Sequence, residues 1–412
     1  MAYHANGRLH IQVGITSRYP DIFTHNPHTT DHNRRTRVPL VCKAWRDLTH
    51  DASLWSGTLN VAFPTRSTPS PDDPKQFYVT FAASVTAWMA RMHAHPTAVV
   101  VTHSGGPDRE GTALLQLLWH CLRWNVLSVD LRGFSAVTVS SALRVLGKQQ
   151  RLIGLTALRV GVLDTRHEHR FTAALASYCS SLTDVRLNVC ELVDGHDLLA
   201  GLSALTALTR LDVRVAGDAH HVLDQGVQVA DMAWLRCLTA LRHVELQGVP
   251  LPCLPSALTG LQQLTTIRLL HTAACFEDLP LASPCSNSVS SSWSTLQELD
   301  LSGGLTHEVV PAMVPASLTA LRLRCVMLSD HDTVLFQDLW RPCTLPRRMP
   351  TGLRVLDLCC VGQVHGLSDT VLQTIAACTA LTWLDLRRCR LATLPGAFAK
   401  LQSLRYVHCG LR

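Results

Sequence analysis

The sequence predicts an α/β solenoid: a curved parallel sheet with one strand per coil, and helices or 3₁₀ turns returning along the convex side. Three observations carry that expectation. Leucine supplies 66 of the 412 residues. An apolar residue recurs at i, i+3 and i+5, with a small or apolar one at i+8, as in Leu182, Val185, Leu187 and Cys190. Starts of the pattern from 126 to 404 are spaced 29, 27, 26, 33, 23, 32, 22, 35, 28 and 23 residues apart.

Steps of 22–29 match the period of a leucine-rich repeat, and the longer ones mark inserted loops. Phrases such as LTALTRLDVR, LTALRHVELQG and LTALTWLDLRR recur nearly unchanged. Because i+3 and i+5 flank a polar i+4, this stretch reads as a short strand with i+3 and i+5 pointing inward. Val99 and Val101 read as the first such strand. The returns read as helical in 139–148, 196–205 and 369–377, each with leucines at helical spacing. One coil cannot bury its own leucines, whereas stacked neighbours share a continuous core. Each buried leucine then contributes roughly 1.5–3 kcal/mol. The L-x-x-L-P phrases at 251–264 and 391–404 resemble the plant intracellular type of repeat. Cysteine at i+8, in Cys190 and Cys389, resembles the cysteine-containing subtype.

Ahead of the repeats, residues 39–63 read PLVCKAWRDLTHDASLWSGTLNVAF. The run Leu40, Val41, Cys42, Lys43, Trp45, Arg46, Leu48, then Asp51, Ser53, Leu54 and Trp55, resembles the second half of an F-box. An F-box followed by leucine-rich repeats is a recurrent family arrangement. The resemblance implies a small helical segment that docks on a Skp-type adaptor of a cullin-based ubiquitin ligase through Leu40, Val41 and Leu54. The repeats would then hold the protein substrate. Without that resemblance, residues 39–55 read as an amphipathic cap over the first coil, and the chain as a plain interaction scaffold. Residues 1–38 are polar and histidine-rich, and are expected to be disordered or without a definable fold. Residues 64–76 (PTRSTPSPDDPKQ) read as a linker or loop. Residues 77–412 read as the repeat domain, entered through a helical cap at 77–93. The chain ends at Arg412 inside a strand-like repeat without a polar cap, as expected of a truncated or minimal reading frame.

Composition narrows the function classes. A net charge of +6 is too small to mark a nucleic-acid binder. No run of apolar residues is long enough for a membrane-spanning helix. Fifteen cysteines, an odd and scattered set, read as reduced thiols, mostly buried, in a cytoplasmic or nuclear protein. No phosphate-cradling loop, dinucleotide fingerprint, nucleophile elbow or H-E-x-x-H pair occurs, so no catalytic residue, metal or cofactor is expected. Cys359 and Cys360, as neighbours on a strand, are expected on opposite faces and inert.

The site is expected on the strand side. The i+4 column runs Asp130, Arg159, Arg186, Asp212, Glu245, Arg268, Asp300, Arg322, Asp357 and Asp385. The i+6 column includes Arg132, Arg214, Arg324 and Arg387, with no carboxylate in that column. The plain expectation is a solvated sheet face of mixed sign, whose charges keep it soluble and pair with each other. The sharper one is a substrate-binding face of Arg132, Arg186, Arg214, Arg268, Arg322, Arg324 and Arg387, favouring an acidic or phosphorylated peptide, with Trp383 at i+2 as an aromatic anchor.

Overall fold

The computed structural model describes residues 2–4, 8–10, 58–62, 74–91, 96–102, 111–124, 126–131, 134–163, 168–189, 201–215, 232–249, 256–271, 293–303, 314–324, 349–360, 366–391 and 393–411. The chain divides into two compact units, Met1–Leu182 and Thr183–Arg412. Residues 39–57, which carry the F-box-like phrase with Leu40, Val41 and Leu54, lie outside the described residues, as does Arg132.

In the first unit, β1 (Ala2–His4) and β2 (Arg8–His10) form an antiparallel pair. The ladder then opens with β3 (Thr58–Ala62), followed by α1 (Pro74–Arg91) and β4 (Ala98–Thr102). It continues through α2 (Gly111–Cys121), β5 (Ser128–Leu131), α3 (Ala136–Lys148), β6 (Ala157–Leu163) and α4 (Glu168–Tyr178). Strands β3 to β6 pair in parallel, in order. Two sequence expectations change here. The first strand is Thr58–Ala62, from the tail of the segment expected to be helical, and not Val99–Val101. Its Leu59 and Val61 alternate inward and are buried, the same period-two signal in a shorter form. The helix expected at 77–93 begins earlier, at Pro74, and is the return of the first coil between β3 and β4 instead of a cap ahead of the ladder. A proline suits its first turn, where the missing N–H would have no intrahelical acceptor.

In the second unit nine strands pair in parallel, each with the next. They are β7 (Asp184–Val189), β8 (Arg210–Val215), β9 (His243–Gln247), β10 (Thr266–Leu270), β11 (Glu298–Asp300), β12 (Ala320–Arg322), β13 (Val355–Asp357), β14 (Trp383–Leu391) and β15 (Tyr406–Leu411). The register aligns equivalent repeat positions: Leu211 faces Val244, Ile267 faces Leu299, and Leu356 faces Leu384. Among the described residues, 3₁₀ turns form the returns at Gly201–Ala204, Met232–Cys237 and Gly396–Lys400. A four-residue helical turn spans Ser256–Thr259, and α5 (Asp369–Ala376) is an α-helical return of two turns. Ser368 starts α5 by accepting the Val371 N–H at 3.4 Å, and Ser135 starts α3 by accepting the Thr138 N–H at 3.3 Å.

The leucine spine is the core. Leu182, Leu208, Leu241, Leu264, Leu296, Leu318, Leu353 and Leu381, all at position i, are fully buried. The i+3 and i+5 residues join them, as in Leu211 with Val213 and Leu384 with Leu386. Hydroxyls bind coil to coil. Thr209, Thr265, Thr319 and Thr382, at i+1, donate to carbonyls of the preceding coil at 3.0–3.1 Å. Trp293 is sealed in the core and donates its indole N–H to the Leu258 carbonyl at 2.9 Å.

Candidate functional site: the ladder face

Strand pleating puts i+2, i+4 and i+6 on the face opposite the leucines. The register confirms the i+4 column within each unit. Asp130 faces Arg159 in the first. In the second, Arg186, Asp212, Glu245, Arg268, Asp300, Arg322, Asp357 and Asp385 succeed one another from β7 to β14.

The expectation of a solvated face fails for the acids. Asp130, Asp212, Glu245, Asp300, Asp357 and Asp385 are all buried, the last two completely. Arginines lie over them with their outer surfaces in solvent. Arg214, 48% exposed, bridges Asp212 at 3.0 Å and Glu245 at 2.8 Å. Arg324 pairs with Asp357, and Arg387, 53% exposed, with Asp385 at 2.6 Å. Arg268 reaches Glu298 at 3.0 Å and Glu245 at 3.5 Å, and Arg322 also grips Glu298. Arg186 holds Asp184 through two bonds, of 3.0 and 3.2 Å.

The expected pairing of charges on this face is present, and it extends to the i+6 arginines. Their own column holds no carboxylate, but the neighbouring i+4 column supplies one to each of Arg214, Arg324 and Arg387. A two-residue offset along a pleated strand returns to the same face, about 7 Å away. That is within reach of a guanidinium folded back on a short carboxylate. The acids have a second task at the strand ends. Asp300, Asp357 and Asp385 accept the backbone N–H of Ser302, Cys359 and Arg387 at 3.1, 3.1 and 3.0 Å. Each thereby caps the turn that leaves the strand.

Electrostatics follow from this pairing. Glu245 is drawn down to about 2 by His243, whose Nε2 lies 3.8 Å away, and by Arg214 and Arg268, against the opposing effect of burial. Burial pushes the Asp357 carboxyl up, partly countered by the Cys359 N–H and Arg324. At Asp385 burial also acts upward, but the Arg387 hydrogen bonds and charge carry it below the usual range.

Over the three outward columns of the second unit, charge cancels among the described residues. Seven arginines (186, 210, 214, 268, 322, 324 and 387) stand against seven acids (184, 212, 245, 298, 300, 357 and 385). What varies is the i+2 column. It is charged or polar at Asp184, Arg210, His243, Thr266 and Glu298, then apolar at Ala320, Val355, Trp383 and Tyr406 on four successive strands. At ~4.8 Å per strand this strip runs about 14 Å. Exposure rises along it, from buried Ala320 through half-buried Val355 and Trp383 to Tyr406 at 62%. His408, in the i+4 column, tilts against Trp383 with ring centroids 6.0 Å apart. Of this strip the sequence pointed only to Trp383. The same periodicity, followed down i+2, also picks out Tyr406 and Val355.

Cys359 and Cys360 do not lie on opposite faces, because β13 ends at Asp357 and both sit in the turn beyond it. Among the described residues no group of three or more His, Cys, Asp and Glu is placed to hold a metal ion, and no helix is long and apolar enough to cross a membrane.

No protein-family model matches the chain, and no curated protein matches it. Among solved structures the chain is similar to a leucine-rich repeat protein of Leptospira interrogans. Identity is 18% and the TM-score 0.36, over 74% of this chain and 81% of that one. It is also similar to the leucine-rich repeat domain of the type III effector XopL, at 15% identity and a TM-score of 0.30, over 83% of this chain and 98% of that one. The solenoid assignment stands on the coil spacing and the ladder register themselves.

Proposed function

We propose that this chain is a non-enzymatic protein-recognition module, whose ladder face holds a segment of a partner protein. The observation that carries this is the apolar i+2 strip ending in Trp383 and Tyr406, on a face whose three outward columns together carry no net charge among the described residues. Exposed aromatic residues on a rigid sheet are effective anchors, because they bury large area at small entropic cost. Arg186, Arg214, Arg268, Arg322, Arg324 and Arg387 are engaged with carboxylates, so an anionic partner has to displace existing pairs, and an apolar or aromatic segment does not.

A photo-crosslinking residue at position 406 tests this. It should trap a discrete partner from lysate, with yield cut at least tenfold by Trp383→Ala. A control crosslinker at Val145, exposed on α3, should not trap it. Trapping at 406 no stronger than at 145 removes the reading. Binding should also depend only weakly on ionic strength, and Arg214→Ala, Arg324→Ala and Arg387→Ala should each change it little. A steep salt dependence, with loss in those variants, would restore the acidic or phosphorylated peptide as partner.

A second reading is supported by the F-box-like phrase at 39–55. In it the chain is the substrate-recognition subunit of a cullin-type ubiquitin ligase, with Leu40, Val41 and Leu54 meeting a Skp-type adaptor. Deleting the N-terminus through residue 63 is a poor test, because it removes β3. Leu40→Asp with Val41→Asp is cleaner. Adaptor and cullin should co-purify with the whole chain and be lost from that variant, and recovery of neither with the whole chain ends this reading.

A further inference from the structure

The turn after β13 brings two thiols together. The Cys359 and Cys360 Sγ atoms stand 3.5 Å apart. The backbone holds them there from both sides. The Cys359 N–H is bound to Asp357 Oδ1 at 3.1 Å, and the Cys360 N–H donates to the Arg387 carbonyl of the next coil at 2.9 Å. Cys360 adopts φ +68, a left-handed conformation that a side chain rarely takes. Cys359 is half-exposed in the i+6 column, and Cys360 is buried.

From this geometry we propose that Cys359 and Cys360 form a preorganised dithiol site for a single bent thiophilic centre of the trivalent arsenical class. The separation is far beyond a disulfide bond of ~2.05 Å, so the pair is two thiols. A linear two-coordinate ion holds its sulfurs two full bond lengths apart, wider than this turn sets them. Zinc requires four donors, and no third ligand joins these two among the described residues. Pyramidal trivalent arsenic that already carries one carbon substituent needs only two sulfurs, set near a right angle, and soft sulfur ligands favour it.

The thiol chemistry agrees. Cys359 is pushed up to about 12 by burial and by its neighbour Cys360, so this half-exposed thiol rests protonated and is a poor nucleophile toward disulfides or peroxides. An arsenoxide does not need a standing thiolate. With phenylarsine oxide two S–H bonds break and two As–S bonds form. The arsenic-bound oxygen leaves as water carrying both protons, and arsenic stays trivalent.

The test uses the full chain, reduced, with one equivalent of phenylarsine oxide. Remaining thiols are then alkylated and peptides mapped by mass spectrometry. One arsenic should bridge the peptide holding Cys359 and Cys360, shielding both from alkylation, and a 1,2-dithiol but not a monothiol should release it. Cys359→Ser, at the half-exposed position, should keep the circular dichroism and melting of the wild type while the apparent affinity falls at least tenfold. Cys360→Ser should behave alike where it folds. An adduct absent from this peptide, seated on another cysteine pair, or retained at wild-type affinity in Cys359→Ser overturns the proposal.

Discussion

At Asp357 the carboxylate is sealed and its arginine is not, an asymmetry that governs what substitution does. Arg324→Ala strands a charge with 0% side-chain exposure, whereas Asp357→Asn leaves a half-exposed guanidinium that water can solvate. Breaking a buried pair from one side is strongly destabilising. With the arginine partly in solvent, a smaller penalty of about 1–3 kcal/mol is expected for Arg324→Ala and less than about 1 kcal/mol for Asp357→Asn, measured by urea unfolding at pH 7. The Asp357 carboxyl is already raised in the folded chain, so its protonated form folds more readily than its ionised form. The Arg324→Ala penalty should therefore shrink as pH falls. Glu245 has the opposite sign. Its folded value of about 2 lies below the ordinary 4.5. The stability it contributes is complete above pH 4.5 and is lost as pH falls toward 2. Allowing for solvent around the arginines, that loss is about 1–2 kcal/mol. Acid titration of Glu245→Gln should lack this component.

Five of the described coils share one constrained element, a left-handed residue at i+7. Gly248, His271, Gly303, Cys360 and Arg388 all take positive φ there. Gly303 has the least freedom. Its φ is +85, and an added Cβ would stand 2.8 Å from the His271 backbone nitrogen. Gly303→Ala is expected to destabilise by about 1–3 kcal/mol. Gly352→Ala, with nothing within 4 Å, should be neutral or slightly stabilising, and thermal melts of the two variants decide this. The returns are also set by arithmetic. A step of 22 or 23 residues leaves no length for an α-helix after strand and turn, so such coils close through 3₁₀ or single-turn segments. Steps of 27–29 in the first unit admit α3 and α4, each of 11 residues or more.

Across the molecule stability is shared between neighbours, since a coil's leucines are buried only by the coils on either side. Leu299, fully buried between Ile267 and Leu321, is a direct probe. Leu299→Ala should cost about 2–5 kcal/mol. In hydrogen exchange the lost protection should centre on β10, β11 and β12 and fade toward β7. Equal loss in every strand of the second unit would instead mean that it opens as one cooperative block. The cancelling charges on the outward columns belong to this scale too. No single rung predicts neutrality, yet the summed ladder presents an apolar strip against a balanced background.

The sequence by itself determined the solenoid, its period, the inward leucines and the membership of the outward columns, because these depend only on spacing along the chain and the two-residue pleat. It also marked Trp383 and the capped helices α3 and α5. Tertiary structure decided everything that depends on distance between coils. That Arg214 and Arg387 fold back on Asp212 and Asp385 of their own strands, that Arg324 reaches Asp357 and Arg214 reaches Glu245 on the next rung, and that these acids are buried, depends on side-chain placement across columns and rungs, which a column-by-column reading cannot register. The start of the ladder at Thr58 needed a pairing partner in β4 to distinguish a five-residue strand from the end of a helical segment. The meeting of Cys359 with Cys360 needed the turn itself, for two neighbours separate on a strand and converge only where the backbone turns left-handed.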